Sequence, residues 1–187
     1  MGWTGYHATN YNRRGEIDRR AECDEQMSGE NERGKWEVLK SAMRGSTYYA
    51  AIRRTDKETG GSEVFGCVCL TSVDMKDYFN FSYKDMDETM GPGCYDCPAS
   101  ILDLLSPTEN EYALAWRQKC REKKSNKNTL GKLPVGAVIE FTFRDQTYRL
   151  TKRAPNFQFK TPWWYNAANN TYMPKARIPQ SFQVVTA

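Results

Sequence analysis

The chain has a single histidine, His7, and that scarcity removes much of the catalytic repertoire at the outset. A Ser-His-Asp or Cys-His arrangement would have to be built on His7, and no second imidazole is present to ligate a metal or act as another base. His7 itself lies in an aromatic, β-prone stretch, where a packed or hydrogen-bonded ring is the simpler expectation. Also missing are a glycine-rich phosphate loop, a helix with paired metal-ligating histidines, and a dinucleotide fingerprint. No apolar run approaches the roughly 18 residues that span a bilayer. Met1-Gly2-Trp3-Thr4-Gly5-Tyr6 lacks the basic flank and apolar stretch of a signal peptide, and Tyr6 stands where a myristoylation pattern wants Ser or Thr. These absences predict a cytoplasmic protein with no membrane attachment. No internal repeat is visible.

What is abundant is aromatic. The 187 residues include 8 Phe, 5 Trp and 11 Tyr, far more than a disordered chain carries, so one or two packed units are expected. The net charge of +4 is unevenly spread. Residues 131–187 carry eight Lys and Arg against two acids, whereas residues 74–103 carry seven acids against two lysines. Such polarity suits an electrostatically complementary partner, although solvated surface charge produces the same count.

The pattern along the chain predicts an α+β fold: an antiparallel-sheet N-terminal unit with helices, followed by a small β-barrel, whose Leu133–Ile139 entry resembles the first strand of SH3-like barrels. Trp3–Thr9 reads as extended, and Glu16–Met27 as a weak helix with Ile17, Ala21 and Cys23 facing inward. Trp36–Arg44, Thr47–Ile52 and Val64–Thr71 read as three antiparallel strands, the last apolar on both faces and therefore central. Residues 74–98 have no clean period and read as loop, before a short helix over Ser100–Leu105. Ser106-Pro107-Thr108-Glu109 resembles a capping box, and Tyr112, Trp116 and Cys120 give the helix behind it one apolar stripe to about Lys124. The polar run Ser125–Thr129 marks a linker at 125–131 between a unit at 1–124 and another at 132–187. In the second unit, Glu140–Phe143 and Thr147–Thr151 alternate about a turn at Arg144-Asp145-Gln146, and further strands are predicted at Phe157–Lys160, Thr171–Met173 and Ser181–Val185.

Four sets of residues carry candidate chemistry. Cys67 and Cys69, with Cys94 and Cys97, supply four thiols for a structural zinc; small apolar packing is the competing reading, and a redox pair at Cys94 and Cys97 a third. Otherwise no cofactor is expected. Asp74, Asp77, Asp85, Asp87 and Glu88 form an acidic segment that suits a cationic partner, or Mg²⁺-dependent nuclease chemistry, or simply water. The helix ends in cations, among them Arg117, Arg121 and Lys124, which complement its dipole or face phosphate. The C-terminal segment interleaves Arg149, Lys152, Arg153 and Lys160 with aromatics, densest over Phe157–Tyr165, which includes Trp163 and Trp164. Base stacking in a cationic groove is one use for such a pattern, and filling a small barrel is the other.

The opening residues 1–9 (MGWTGYHAT) resemble a family of short proteins from phages, plasmids and conjugative elements of Firmicutes. Val38–Met43, Leu70–Tyr78, Tyr95–Pro98 with Ile101–Ser106, and Pro162–Asn166 extend the resemblance over nearly the whole chain. It implies counter-defence, by analogy with type II anti-CRISPR proteins that inhibit Cas9, and it transfers no functional residue. The expectation is therefore a non-enzymatic binder of a protein or ribonucleoprotein of Cas9 type. The alternatives are a single-stranded nucleic-acid binder of mobile-element housekeeping and a metal-dependent nuclease.

Overall fold

The computed structural model describes residues 2–74, 77–82, 87–179 and 182–186, without the side chains of 126–128, 176 and 186. The fold is α+β, with two antiparallel sheets in two compact units, Met1–Arg121 and Glu122–Ala187.

The first sheet is built from β1 (Trp3–His7), β2 (Gly29–Glu30), β3 (Gly34–Arg44), β4 (Thr47–Asp56), β5 (Ser62–Asp74) and β6 (Tyr78–Ser82), in the order β1-β6-β5-β4-β3-β2. The three central strands stand where the sequence places them. β6 occupies part of the segment expected to be loop, and it links β1 to β5 through register pairs such as Trp3 with Ser82 and Val73 with Phe79. Alternation along β4 and β5 divides the core in two. Tyr48, Ala50, Ile52, Cys67 and Cys69 pack on one face with Cys23 of α1 (Arg19–Gln26) and with Phe79 and Phe81. Tyr49, Ala51 and Val68 pack on the other with α2 (Ala99–Leu102) and with Trp116 and Cys120 of α3 (Glu111–Lys132). Both faces are covered, and β5 is correspondingly apolar on both faces from Val64 to Leu70.

α1 starts at an Asp18 N-cap whose carboxylate accepts from the Arg20 and Ala21 amides. α3 differs from expectation at both ends. Its N-cap is Asn110, whose Oδ1 accepts from the Ala113 amide at 3.0 Å. Ser106 is used elsewhere, its hydroxyl accepting from the Val64 amide of β5 at 2.8 Å. The helix then runs without a break through residues 125–131, so the expected linker is helical. Its buried stripe is Ala113, Trp116, Arg117 and Cys120, while Tyr112 is 65% exposed and lies against Gly91. No described helix is long and apolar enough to cross a membrane.

The second sheet contains β7 (Val138–Phe143), β8 (Gln146–Arg153), β9 (Trp163–Asn166), β10 (Thr171–Met173) and β11 (Gln183–Thr186), in the order β10-β9-β8-β7-β11. It curls as a half-barrel over a core of Leu130, Ile139, Phe141, Leu150, Trp164 and Ile178. β7 and β8 are joined by a two-residue turn in which Arg144 (φ 50°) and Asp145 (φ 60°) are both left-handed, the conformation whose twist suits a tight hairpin. The strand expected at Phe157–Lys160 is absent. Asn156 Oδ1 accepts from the Gln158 and Phe159 amides, which turns the chain there, and the strand forms instead at Trp163–Asn166.

Candidate functional site

The structure disperses the acidic set. Glu88 is 1% exposed and forms a bidentate pair with Arg117, at 2.6 Å from Nε to Oε2 and 2.7 Å from Nη2 to Oε1. The Gly66 amide donates to the same carboxylate at 2.9 Å, and Arg117 Nη1 donates to the Ser106 carbonyl at 2.7 Å. Glu88 and Arg117 thus join β5, the turn at Glu88–Met90 and α3 inside the first unit, and neither faces a partner. Asp87 caps that turn, accepting from the Thr89 amide at 2.8 Å. Asp74 accepts from Asn80 at 2.8 Å, and Asp77 lies 3.3 Å from His7 Nδ1. Asp85 lies outside the described residues. His7 is solvent-exposed, with Asp77 and the edge of the Tyr78 ring as its neighbours.

The four expected zinc ligands do not converge. Cys67 and Cys69 project into the core on the α1 side of the sheet, while Cys94 and Cys97 pack on the α2 side. Two residues apart on one strand, Cys67 and Cys69 share a face, and that same alternation turns both away from the other pair. Among the described residues no group of three or more His, Cys, Asp or Glu is placed to hold a metal ion.

Two members of the cationic–aromatic set are also interior. Trp164 is fully buried. Lys152 is 4% exposed, and its ammonium donates to the carbonyls of Leu130 at 3.2 Å and Gly131 at 3.0 Å, and to that of Leu133. It therefore caps the C-terminus of α3, where a cation meets the free carbonyls and the negative end of the dipole. Burial, reinforced by the charge of Lys175, pushes its pKa below the usual lysine value. Arg121 and Lys124 are exposed on α3.

The remaining members come together on the outer face of the second sheet. Leu150, Lys152, Trp164 and Asn166 point inward, so the residues between them point out. Register pairs Arg153 with Trp163, Thr151 with Tyr165, and Tyr165 with Tyr172 of β10. Arg149 lies on the same face, two residues before Thr151. Phe159, from the 154–162 loop that also carries Lys160, stacks on Trp163 (centroids 4.8 Å, planes 30° apart) and meets Tyr172 at 4.7 Å. Trp163 meets Tyr165 edge-on at 5.7 Å, and the Arg153 guanidinium lies 5.2 Å from the Tyr165 ring centroid. Two bonds hold the rings: Trp163 Nε1 donates to the Ala154 carbonyl at 3.0 Å, and Tyr165 Oη to Asn170 Oδ1 at 2.9 Å. On the same loop Phe157 is fully exposed.

The sequence points to Arg149, Arg153, Lys160 and Trp163 and to the dense run Phe157–Tyr165 that holds Phe159 and Tyr165, but not to Tyr172. Strand alternation separates Tyr165 from Trp164 once Trp164 is assigned to the core. Tyr172 requires the β9–β10 register, which no local pattern announces.

Fold and site together define an α+β protein with two antiparallel sheets, one of which presents an ordered aromatic–arginine surface. Over residues 107–152, which span α3, β7 and most of β8, the chain matches a family model described as a domain of unknown function (DUF6927). No curated protein and no solved structure matches the chain.

Proposed function

We propose that the protein is a non-catalytic binder of single-stranded nucleic acid, acting through the outer face of its second sheet. The observation that carries this reading is the ring cluster Phe159, Trp163, Tyr165 and Tyr172 beside the exposed cations Arg149, Arg153 and Lys160. Unpaired bases stack on aromatic rings while guanidinium and ammonium groups meet the phosphates, a combination that tolerates many sequences. Ring positions set by hydrogen bonds before binding reduce the ordering cost. In the counter-defence setting that the resemblance implies, the target is a Cas9-type nucleoprotein, and this face meets its guide RNA or displaced DNA strand. The acidic segment supports that setting less than the sequence suggests, because Glu88 is buried and Asp87 is a cap.

Fluorescence anisotropy with labelled single-stranded RNA and DNA, over a salt series, tests the proposal. Trp163→Ala and Tyr172→Ala are each expected to cost about 1–3 kcal/mol of binding per lost base stack. Arg153→Gln is expected to lower affinity and flatten the salt dependence by about 0.7 in the log–log slope for one phosphate contact. Circular dichroism confirms that each variant is folded. Equal affinity of wild type and the two aromatic variants, or equal binding of duplex and single strand, sinks the reading.

A further inference from the structure

On the α1 side of the first sheet, a cavity of about 410 Å³ opens between the C-terminal end of α1 and strands β3, β4 and β5. Exposed Gln26, Ser28 and Glu30 stand at its rim, and Cys67 and Cys69 lie among its buried walls. The sulfurs there are gathered. Cys67 Sγ is 3.7 Å from Cys69 Sγ and 3.8 Å from Met27 Sδ, and Met27 lines the same cavity. A metal–sulfur bond of about 2.3 Å places neighbouring sulfurs about 3.8–4.0 Å apart around a tetrahedral or trigonal ion. Both sulfur–sulfur distances from Cys67 therefore already stand near the spacing of a shared ligand set. Although buried, both thiols border this volume, whose rim reaches the surface.

We propose that Cys67, Cys69 and Met27 form a binding site for a soft monovalent cation of the copper(I) type. Two thiolates and a thioether are the donors that soft ions select; a hard ion wants the oxygen ligands that this set lacks, and zinc, which also takes thiolates, closes its structural sites with four donors where this set offers three. Binding is ligand exchange without electron transfer: the ion leaves the glutathione thiolates that carry it, these take up protons as Cys67 and Cys69 release theirs, and three sulfur–metal contacts form. Strand alternation aims both thiols into one cavity, and Met27, the residue that caps the C-terminus of α1, supplies the thioether. The site is separate from the aromatic face and does not depend on its role.

The test offers copper(I) to the reduced, full-length chain under anaerobic conditions as its complex with excess glutathione, which competes against isolated thiols. Native mass spectrometry then counts the ions bound. One copper per chain is expected. The double variant Cys67→Ala/Cys69→Ala is expected to lose it, and Cys94→Ala/Cys97→Ala to keep it. Since the first pair is buried, Met27→Leu provides a variant of similar volume that leaves both thiols in place, and its occupancy is expected to fall below one at the same glutathione concentration. The proposal is overturned by no uptake in the wild type, by full uptake in a folded Cys67→Ala/Cys69→Ala protein, by loss in Cys94→Ala/Cys97→Ala, or by undiminished occupancy in Met27→Leu.

Discussion

Glu88 and Arg117 are each almost inaccessible to water, so removing either one strands the charge of the other. Breaking a buried pair from one side costs about 3–5 kcal/mol, much more than the pair contributes relative to a well-packed apolar replacement. Arg117→Ala is therefore expected to lower stability by about that amount, and Glu88→Leu combined with Arg117→Met to recover much of it. The control is Arg121→Ala, one turn further along α3 and exposed, with an expected change within about 0.5 kcal/mol. Urea midpoints measure all three, and equal midpoints for the two alanine variants would refute the account. Lys152 obeys the same logic with carbonyls in place of a carboxylate. Lys152→Met leaves helix-terminal carbonyls without their donor and is expected to cost about 1–3 kcal/mol. Neither role was legible in the sequence. Long cations are rarely buried unless paired, and the partners here lie 29 residues from Arg117 and about 20 from Lys152 in the chain.

At the level of elements, legibility followed the length over which a period was sustained. β7 and β8 alternate on both sides of a two-residue turn, and the hairpin stands where the pattern puts it. The helix α3 stands where its stripe puts it, with Trp116 and Cys120 buried as expected, but Tyr112 is exposed and the buried face turns toward Ala113 and Arg117 instead. The linker was inferred from polarity alone, and a polar stretch continues a helix whenever its backbone bonds are made. Where α3 crosses β5 the packing is tight: a Cβ on Gly66 would stand 2.9 Å from Trp116 Cζ3. Gly66→Ala must displace the indole or the strand, and is expected to destabilise by about 1–3 kcal/mol. Gly29→Ala, in a strand where an added Cβ meets nothing within 4 Å, is the matched control. Equal thermal midpoints for the two variants would show that the crossing has slack.

Across the molecule, the charge asymmetry resolves into two different outcomes. The acidic segment is spent partly on caps and a buried pair, whereas the basic surplus of the second unit stays largely outside, with Lys152 its buried exception. A second global property follows from groups that the fold keeps neutral. Burial holds the phenols of Tyr6 and Tyr49 above the ordinary tyrosine value, and Tyr6 also donates to Glu22 at 2.9 Å. Burial likewise raises the Cys97 thiol. In the unfolded chain these groups ionise at about 8.5 for the thiol and about 10 for the phenols. Above those values the unfolded state binds fewer protons than the folded one, so stability must fall as pH rises. The contribution is fully present below about pH 8 and is lost progressively toward the higher folded values. Urea midpoints at intervals from pH 7 to pH 11 are expected to decline above about pH 8.5, with phenolate absorbance from these tyrosines appearing only on unfolding. Tyr49→Phe removes one group from the linkage and is expected to lose less stability than the wild type over the same interval. A flat profile to pH 11, or phenolate absorbance from Tyr6 and Tyr49 in the folded protein, would mean that these side chains are not held from solvent as the core requires.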